Sequence, residues 1–231
     1  MGFDANFALE ATGGYGFRMT DRLPADLTIR PVEAATWADF ERLFESRGGP
    51  SYCWCMPYRA TPEEKRNLDR VTRKEGMRAR VMAGVPVGIL AYAGVEPLGW
   101  CSIAPRSTFP RPKTSAVPGA ARADDPSVWS LTCFFVPRRL RGCGLASRLL
   151  REALDYAREQ GAAAVEAYPV DPDSPSYRFG GLRPMFQAAG ARELGPLGRR
   201  RHVVRVNLAG ESPSSQPSPT AGRGSLDDPP D

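Results

Sequence analysis

Helical spacing of apolar positions is clearest between residues 145 and 160. There Leu145, Leu149, Leu150, Ala153, Leu154 and Ala157 fall on one face, and Arg148, Arg151, Glu152, Asp155 and Arg158 on the other, with Gly161 as the stop. A shorter helix is predicted where Trp37, Phe40, Leu43 and Phe44 follow a capping Thr36, with Asp39 three residues on and Gly48-Gly49 at the end. Thr61-Pro62-Glu63-Glu64 supplies an N-cap, a first-turn proline and a capping-box glutamate, so another helix should open there and run to Gly84 with a break near Gly76. Strand-like runs lie at 27–30, 87–93, 98–103, 129–136, 164–168 and 202–208, with 191–198 pairing ahead of the last. Gly94-Val95-Glu96-Pro97 joins two of them as an antiparallel hairpin, and 183–189 reads as a short helix ending at Gly190. Residues 104–127 are rich in Pro, Arg, Ser and Ala and read as a long surface loop. This order predicts an α/β domain with a mixed sheet flanked by helices, in which the strands at 129–136 and 164–168 are parallel because a helix connects them.

Two stretches lie outside this patterning. Residues 1–26 are glycine-rich and weakly patterned, and are expected to be an extension, with Met1 or Met19 as the start. Residues 209–231 contain 13 Pro, Ser or Gly in 23, with Leu226 as the one large apolar side chain, so this tail cannot bury enough surface to order itself. The domain is therefore expected over 27–208.

The chemistry concentrates where the strand VWSLTCFFV gives way to PRRLRGCG and then to the helix at 145. Gly142 and Gly144 stand between strand and helix, so the turn can approach a ligand closely while the helix's first free N–H groups point at it. Arg139-x-x-Gly142-x-Gly144 leaves no Cβ where a pyrophosphate would lie, and Arg138, Arg139 and Arg141 add positive potential. The turn lacks the Gly-Lys-Ser/Thr ending of a nucleotide-hydrolysing loop and the G-x-G-x-x-G of a dinucleotide site, which implies a different phosphate ligand.

Composition narrows the classes further. The formal charge of +5 and pI near 9.1 could indicate nucleic acid, but the arginines cluster at the phosphate turn and at Arg199, Arg200, Arg201 and Arg205, with no basic helix or aromatic-studded RNA motif. An anionic cofactor accounts for part of the excess, and no nucleic-acid partner is expected. No apolar run approaches the roughly 18 residues of a membrane span, and no secretory segment leads the chain, so a cytoplasmic protein without a membrane partner is expected. Cys53, Cys55, Cys101, Cys133 and Cys143 are read as reduced thiols. With His202 as the one histidine and no second cysteine pair at zinc-ribbon spacing, no metal site is expected.

Val136-Pro137-Arg138-Arg139-Leu140-Arg141-Gly142-Cys143-Gly144-Leu145-Ala146 resembles the acyl-CoA signature of the GNAT N-acyltransferase superfamily, R/Q-x-x-G-x-G/A after a strand. The element order also resembles the GNAT fold, a mixed sheet splayed open where its two central parallel strands part. The CWCM segment at 53–56, GWCS at 99–102, CFFV at 133–136 and EAYPV at 166–170 together resemble a poorly characterised bacterial subgroup.

The resemblance implies acetyl transfer from acetyl-CoA, as co-substrate, to an amine by direct attack in a ternary complex. It assigns the pantetheine arm to the backbone of Phe134, Phe135 and Val136, and the diphosphate to Arg139 and to Arg141, Gly142, Cys143, Gly144, Leu145 and Ala146. Cys143 is then a turn residue and not a nucleophile. Glu166 is the expected base because a charged residue in a central strand faces either the cleft or solvent, a solvated or ion-paired glutamate being the alternative; Asp171 and Asp173 are weaker candidates. Phe186 stands where many members carry the tyrosine that protonates the departing thiolate, so Tyr168 and Tyr177 are the candidate substitutes, a core or loop tyrosine being the alternative for each. Tyr52, Trp54, Met56, Tyr58 and Arg59 fall where the fold builds its acceptor wall, or else form a packed corner. Trp100 and Trp129 are expected in the core, and Arg106 on a solvated loop. A small-molecule amine is the expected acceptor. A protein or aminoacylated-RNA acceptor, and a non-catalytic acyl-CoA sensor, are the alternatives, and a homodimer is left open.

Overall fold

The computed structural model describes residues 23–208, apart from 25 and 68. The expected N-terminal extension up to residue 22 and the expected tail at 209–231 lie outside the described residues.

Seven strands form one sheet: β1 (Leu27–Pro31), β2 (Ile89–Ala93), β3 (Glu96–Pro105), β4 (Val128–Phe135), β5 (Ala164–Ala167), β6 (Arg192–Leu197) and β7 (Arg201–Asn207). Their order is β1-β2-β3-β4-β5-β7-β6, and every pairing is antiparallel except β4 with β5. The helices are α1 (Trp37–Glu45), α2 (Met56–Arg59), α3 (Arg70–Met82), α4 (Leu145–Glu159) and α5 (Arg183–Gln187).

The six apolar positions read as one face of α4 are all buried. They pack on Leu98, Ile103, Leu131 and Val165 of the sheet, joined by Phe186 of α5. Trp37, Phe40 and Phe44 of α1 form a second core with Trp54, Met56 of α2, Met77 of α3 and Trp100 of β3. The sheet is thus covered on both faces, which accounts for β2 and β3 being apolar almost throughout instead of alternating. Trp100 and Trp129 are core residues, as expected.

Several boundaries depart from the sequence reading, each for a local reason. The hairpin turn is Gly94-Val95, with Glu96 and Pro97 already in β3. The register shifts between Ala91 and Tyr92, beside the pairing of Tyr92 with Pro97, because a proline that has no N–H is tolerated in a ladder only at such an irregularity. Thr36 stands at the N-cap of α1, but its side chain makes no capping bond there. Its hydroxyl accepts from Glu33 N–H at 2.9 Å within a box that opens a preceding 3-10 turn, Ala34–Thr36. The 104–127 segment is packed, with Phe109, Thr114, Val117 and Ala121 buried. Arg106, expected in solvent, is buried and donates to Phe109 O at 2.6 Å and Pro112 O at 2.8 Å, so it organises this loop from within.

The Thr61–Glu64 capping box forms as read: Thr61 N–H donates to Glu64 Oε2 at 2.7 Å and Glu64 N–H to Thr61 Oγ1 at 3.3 Å. It opens only a 3-10 turn, Glu64–Asn67, and the helix restarts at Arg70 with Asp69 accepting from Thr72 N–H at 2.8 Å. The break therefore precedes α3 and does not fall at Gly76. That glycine sits where a Cβ would come within 2.9 Å of Met56 Cε, letting α3 approach α2.

Both carboxylate oxygens of Glu64 receive Arg80 nitrogens at 2.8 Å. The Arg80 hydrogen bonds, with the Thr61 N–H, hold this carboxyl below its ordinary range against the opposing effect of partial burial. A depressed carboxyl contributes stability above its unfolded-state value and loses it as pH falls through the folded value. Glu64→Gln is expected to cost about 0.5–1 kcal/mol near neutral pH, the pair being partly exposed, with the gap to wild type closing in acid; urea denaturation at the two pH values measures it.

Candidate active site

The β4–β5 ladder runs from Val128↔Ala164 to Leu131↔Ala167 and ends there. β4 continues, its residues Cys133, Phe134 and Phe135 pairing with Ser102, Cys101 and Trp100 of β3 on the other side. The chain after β5 stays with β7: Pro169 O accepts from His202 N–H at 2.9 Å, and Val170 bridges to Arg201 and Leu182. Past Leu131 and Ala167 the two parallel strands part, β4 staying with β3 and the chain after β5 with β7.

The far wall of the gap is the turn Arg178–Gly180 and its successor Gly181. Gly181 has φ +86°, and a Cβ there would lie 2.7 Å from Phe186 and 3.1 Å from Phe134, so glycine alone fits between these rings. A cavity of about 870 Å³ occupies the opening.

At one end the cavity meets the turn between β4 and α4. Gly142 and Gly144 both have φ +86°, and a Cβ at either would touch nothing within 4 Å, so the space in front of the turn is open. The first N–H taken within α4 is that of Arg148, by Gly144 O at 3.0 Å, which leaves the donors ahead of it free for an anion. Arg141 folds back to donate through Nε to Val136 O at 3.2 Å. Cys143 donates its thiol to Leu140 O at 2.8 Å, as befits a turn residue. Phe134, Phe135, Val136, Arg141, Gly142, Gly144, Leu145 and Ala146 line the cavity; Arg139 and Cys143 do not.

At the other end lie Tyr52, Cys53, Cys55, Tyr58, Cys133 and Phe179. The rings of Tyr58 and Phe179 meet edge to face with centroids 6.1 Å apart, joining α2 to the far wall. Of the expected acceptor wall only Tyr58, together with Tyr52, faces the cavity. Trp54 is fully buried between Trp37 and Phe44, stacked at centroid distances of 6.0 and 5.2 Å, and Met56 is equally buried in that core. Here the packed corner, the alternative reading, describes the geometry. Arg59 is also inside: its Nη2 donates to Val87 O at 2.6 Å and Ser102 Oγ at 3.0 Å, and its guanidinium lies 4.1 Å over the Phe109 ring.

Glu166 and Tyr168, expected at the chemistry, are not among the cavity-lining residues. Glu166 is fully buried, and its Oε1 accepts from Ala121 N–H at 2.7 Å and Arg205 Nη2 at 2.6 Å. The ion-paired alternative thus matches its placement, since the loop at 106–127 covers the face on which it projects. Tyr168 is buried with its hydroxyl 3.0 Å from Ser130 Oγ, and burial pushes it up to about 12. Asp171 pairs with Arg183 and His202, and Tyr177 lies half-exposed near Arg201.

No carboxylate or histidine lines the cavity among the described residues, and no cluster of His, Cys, Asp or Glu there could hold a metal ion. Its titratable lining is phenols, thiols and two arginines, Arg141 and Arg178. Sequence reasoning passed over Cys55 and Cys133. The signal available was Arg59 four residues after Cys55, a spacing that returns to one side of a helical turn.

A helix N-terminus and glycine turn at one side of parted parallel strands, with a cavity between, make a pocket whose backbone donors suit an anionic ligand. The sequence model of the acetyltransferase (GNAT) family matches residues 41–180, and the chain belongs to that family. It is an acetyl-CoA-dependent acyltransferase.

Similar folds occur in the GNAT domain of PAT from S. lividans (16% identity, 78% of this chain and 89% of that one, TM-score 0.48). They occur also in YncA of Salmonella typhimurium, solved with its cofactor acetyl-CoA (17%, 81% and 97%, TM-score 0.47). A third is the ribosomal-protein-alanine N-acetyltransferase of Brucella melitensis (17%, 78% and 99%, TM-score 0.44). A search of curated protein sequences gives no significant match. No described helix is long and apolar enough to cross a membrane.

Proposed function

We propose that the protein transfers the acetyl group of acetyl-CoA to the primary amine of a small molecule, by direct attack while both substrates are bound. The observation that carries this reading is the single cavity that joins the Gly142–Gly144 turn, the parted edge of β4 and the Tyr52–Tyr58–Phe179 end. A donor entering at the turn would lay its arm along Phe134 to Val136 and bring its thioester toward the aromatic end. There the free backbone edge of β4 can polarise the carbonyl as charge develops on it. The Tyr58–Phe179 contact joins the two walls at the acceptor end, which supports a small acceptor over a polymer. The unpaired thiols at Cys53, Cys55, Cys101, Cys133 and Cys143 support a reducing, cytoplasmic setting.

The lining also bears on the acceptor. Without a carboxylate, a second ammonium group would enter this space with no counter-ion, at a cost of several kcal/mol. Aromatic or apolar monoamines are therefore expected to release CoA thiol from acetyl-CoA at least about tenfold faster, in kcat/KM, than spermidine, a cost of only about 1.4 kcal/mol sufficing for that factor. A panel in which polyamines are the preferred acceptors would overturn the assignment, and thiol release with none of the amines would remove the small-amine reading altogether.

A further inference from the structure

An ammonium group cannot attack a thioester until it loses a proton, and among the described residues the cavity is lined by no carboxylate or imidazole to take it. The available lining groups differ sharply in their environments. Burial pushes Tyr58 up to about 12, and Tyr52 is raised chiefly by the neighbouring Cys53. Burial likewise lifts Cys53 to about 11. Cys133 is raised well above an ordinary thiol, chiefly by its interaction with Cys55 and also because it is buried. Cys55 goes the other way. Burial opposes its thiolate, but the Cys133 thiol, the Arg59 guanidinium and the Ser102 hydroxyl together outweigh burial and hold it below the ordinary range of a thiol.

The geometry gives these effects a structural basis. Arg59 is 1% exposed and forms no ion pair with a carboxylate among the described residues; burial pushes it down to about 10, and Cys55 acts in the opposite direction. Ser102 Oγ accepts from Arg59 Nη2 and from Thr132 Oγ1, both at 3.0 Å, which uses its two lone pairs and leaves its own proton for the Cys55 sulfur. Cys55 opens α2 in the left-handed region (φ +54°) and Arg59 closes it. Around the sulfur stand Cys53 and Tyr52 of its own turn, Tyr58 and Arg59 of α2, Cys101 of β3 and Cys133 of β4. Arg73 and Arg80 of α3 act on Cys53 and Arg59 in turn.

We propose that Cys55, on the cavity wall between Cys133 and the buried Arg59, is the catalytic base of acyl transfer. This rests on the amine-acetylation reading above. The Cys55 sulfur takes one proton from the acceptor's ammonium and becomes a thiol. The freed nitrogen lone pair forms the N–C bond to the thioester carbonyl, and the carbonyl's bond to the CoA sulfur breaks with its electron pair leaving on that sulfur. A second nitrogen proton goes to the CoA thiolate, the third stays in the amide, and Cys55 returns its proton to solvent.

Two measurements test this on the full chain. Alkylation of Cys55 by iodoacetamide, followed by peptide mass spectrometry across pH, is expected to have its midpoint below that of a free cysteine, about 8.5, and to be slowed by acetyl-CoA. The kcat/KM profile for a responsive amine should show its acidic limb at the same pH. Cys55→Ala should lower kcat by about 100-fold or more and erase that limb, with acetyl-CoA affinity unchanged by calorimetry; Cys55→Asp should recover part of the rate with the limb moved to lower pH. An alkylation midpoint at or above that of a free cysteine, about 8.5, wild-type kcat in Cys55→Ala, or an acetyl group found on Cys55 after mixing with acetyl-CoA alone would each overturn the base role. The alkylation profile needs no amine and no variant. It therefore judges the thiolate even if the amine reading fails or a substituted chain does not fold.

Discussion

Gly142→Glu is expected to abolish acetyl-CoA binding while leaving the chain folded. A Cβ at Gly142 meets nothing within 4 Å, so the new carboxylate would have room, but the room is the space in front of the α4 N-terminus where the diphosphate would lie. Like charges about 4 Å apart near a protein surface repel by about 4 kcal/mol, a loss on the order of 1,000-fold in affinity. The left-handed backbone (φ +86°) adds a second cost, since a residue with a Cβ is disfavoured there by about 1–2 kcal/mol. Gly142→Ala separates the two. It carries the backbone cost without the charge, and should lower stability while retaining most of the binding in calorimetry. Equal acetyl-CoA affinity in wild type and Gly142→Glu would remove the turn from the site.

Glu166→Ala is expected to destabilise the fold by about 3–5 kcal/mol, the range for breaking a buried ion pair from one side. The loss would strand both the Ala121 N–H and the Arg205 guanidinium, which now share Oε1. Arg205 is 21% exposed and can recover some hydration, which favours the lower end of that range. Glu166→Gln keeps the shape and an acceptor for Ala121, and should cost less, about 1–3 kcal/mol. Chemical denaturation reads both. If Glu166 serves the loop at 106–127, Glu166→Gln keeps wild-type kcat and an unmoved pH profile below its melting range. A hundredfold fall in kcat with the fold intact would return this carboxylate to the chemistry.

Features carried by neighbouring residues are legible in the sequence. The face of α4, its stop at Gly161 and the glycine turn ahead of it each depend on side chains within one or two helical turns of one another, so their pattern along the chain is their pattern in space. The parallel pairing of β4 with β5 is likewise readable, because a helix joins them. Element ends are less so: the Thr61 box produces only a 3-10 turn, and α3 starts afresh behind its own cap at Asp69. Polar side chains with distant partners are least legible. Glu166 meets Ala121 and Arg205, 45 and 39 positions away, and Arg59 meets Val87 and Ser102, 28 and 43 away. A charge in a strand or an arginine beside aromatics looks functional until those partners are known.

By itself the chain's order of residues determined that a glycine turn would precede a strong amphipathic helix after an apolar strand, and hence that free backbone donors would face the space where we propose a phosphate-bearing ligand is held. Only the tertiary structure decided which side chains share the resulting space. It withdrew Glu166, Trp54 and Arg59 into the interior and set Cys55 and Cys133 on the wall. The reason is that backbone donors at a turn are a property of local conformation, whereas a side chain's protonation and exposure depend on groups that the fold alone brings alongside it.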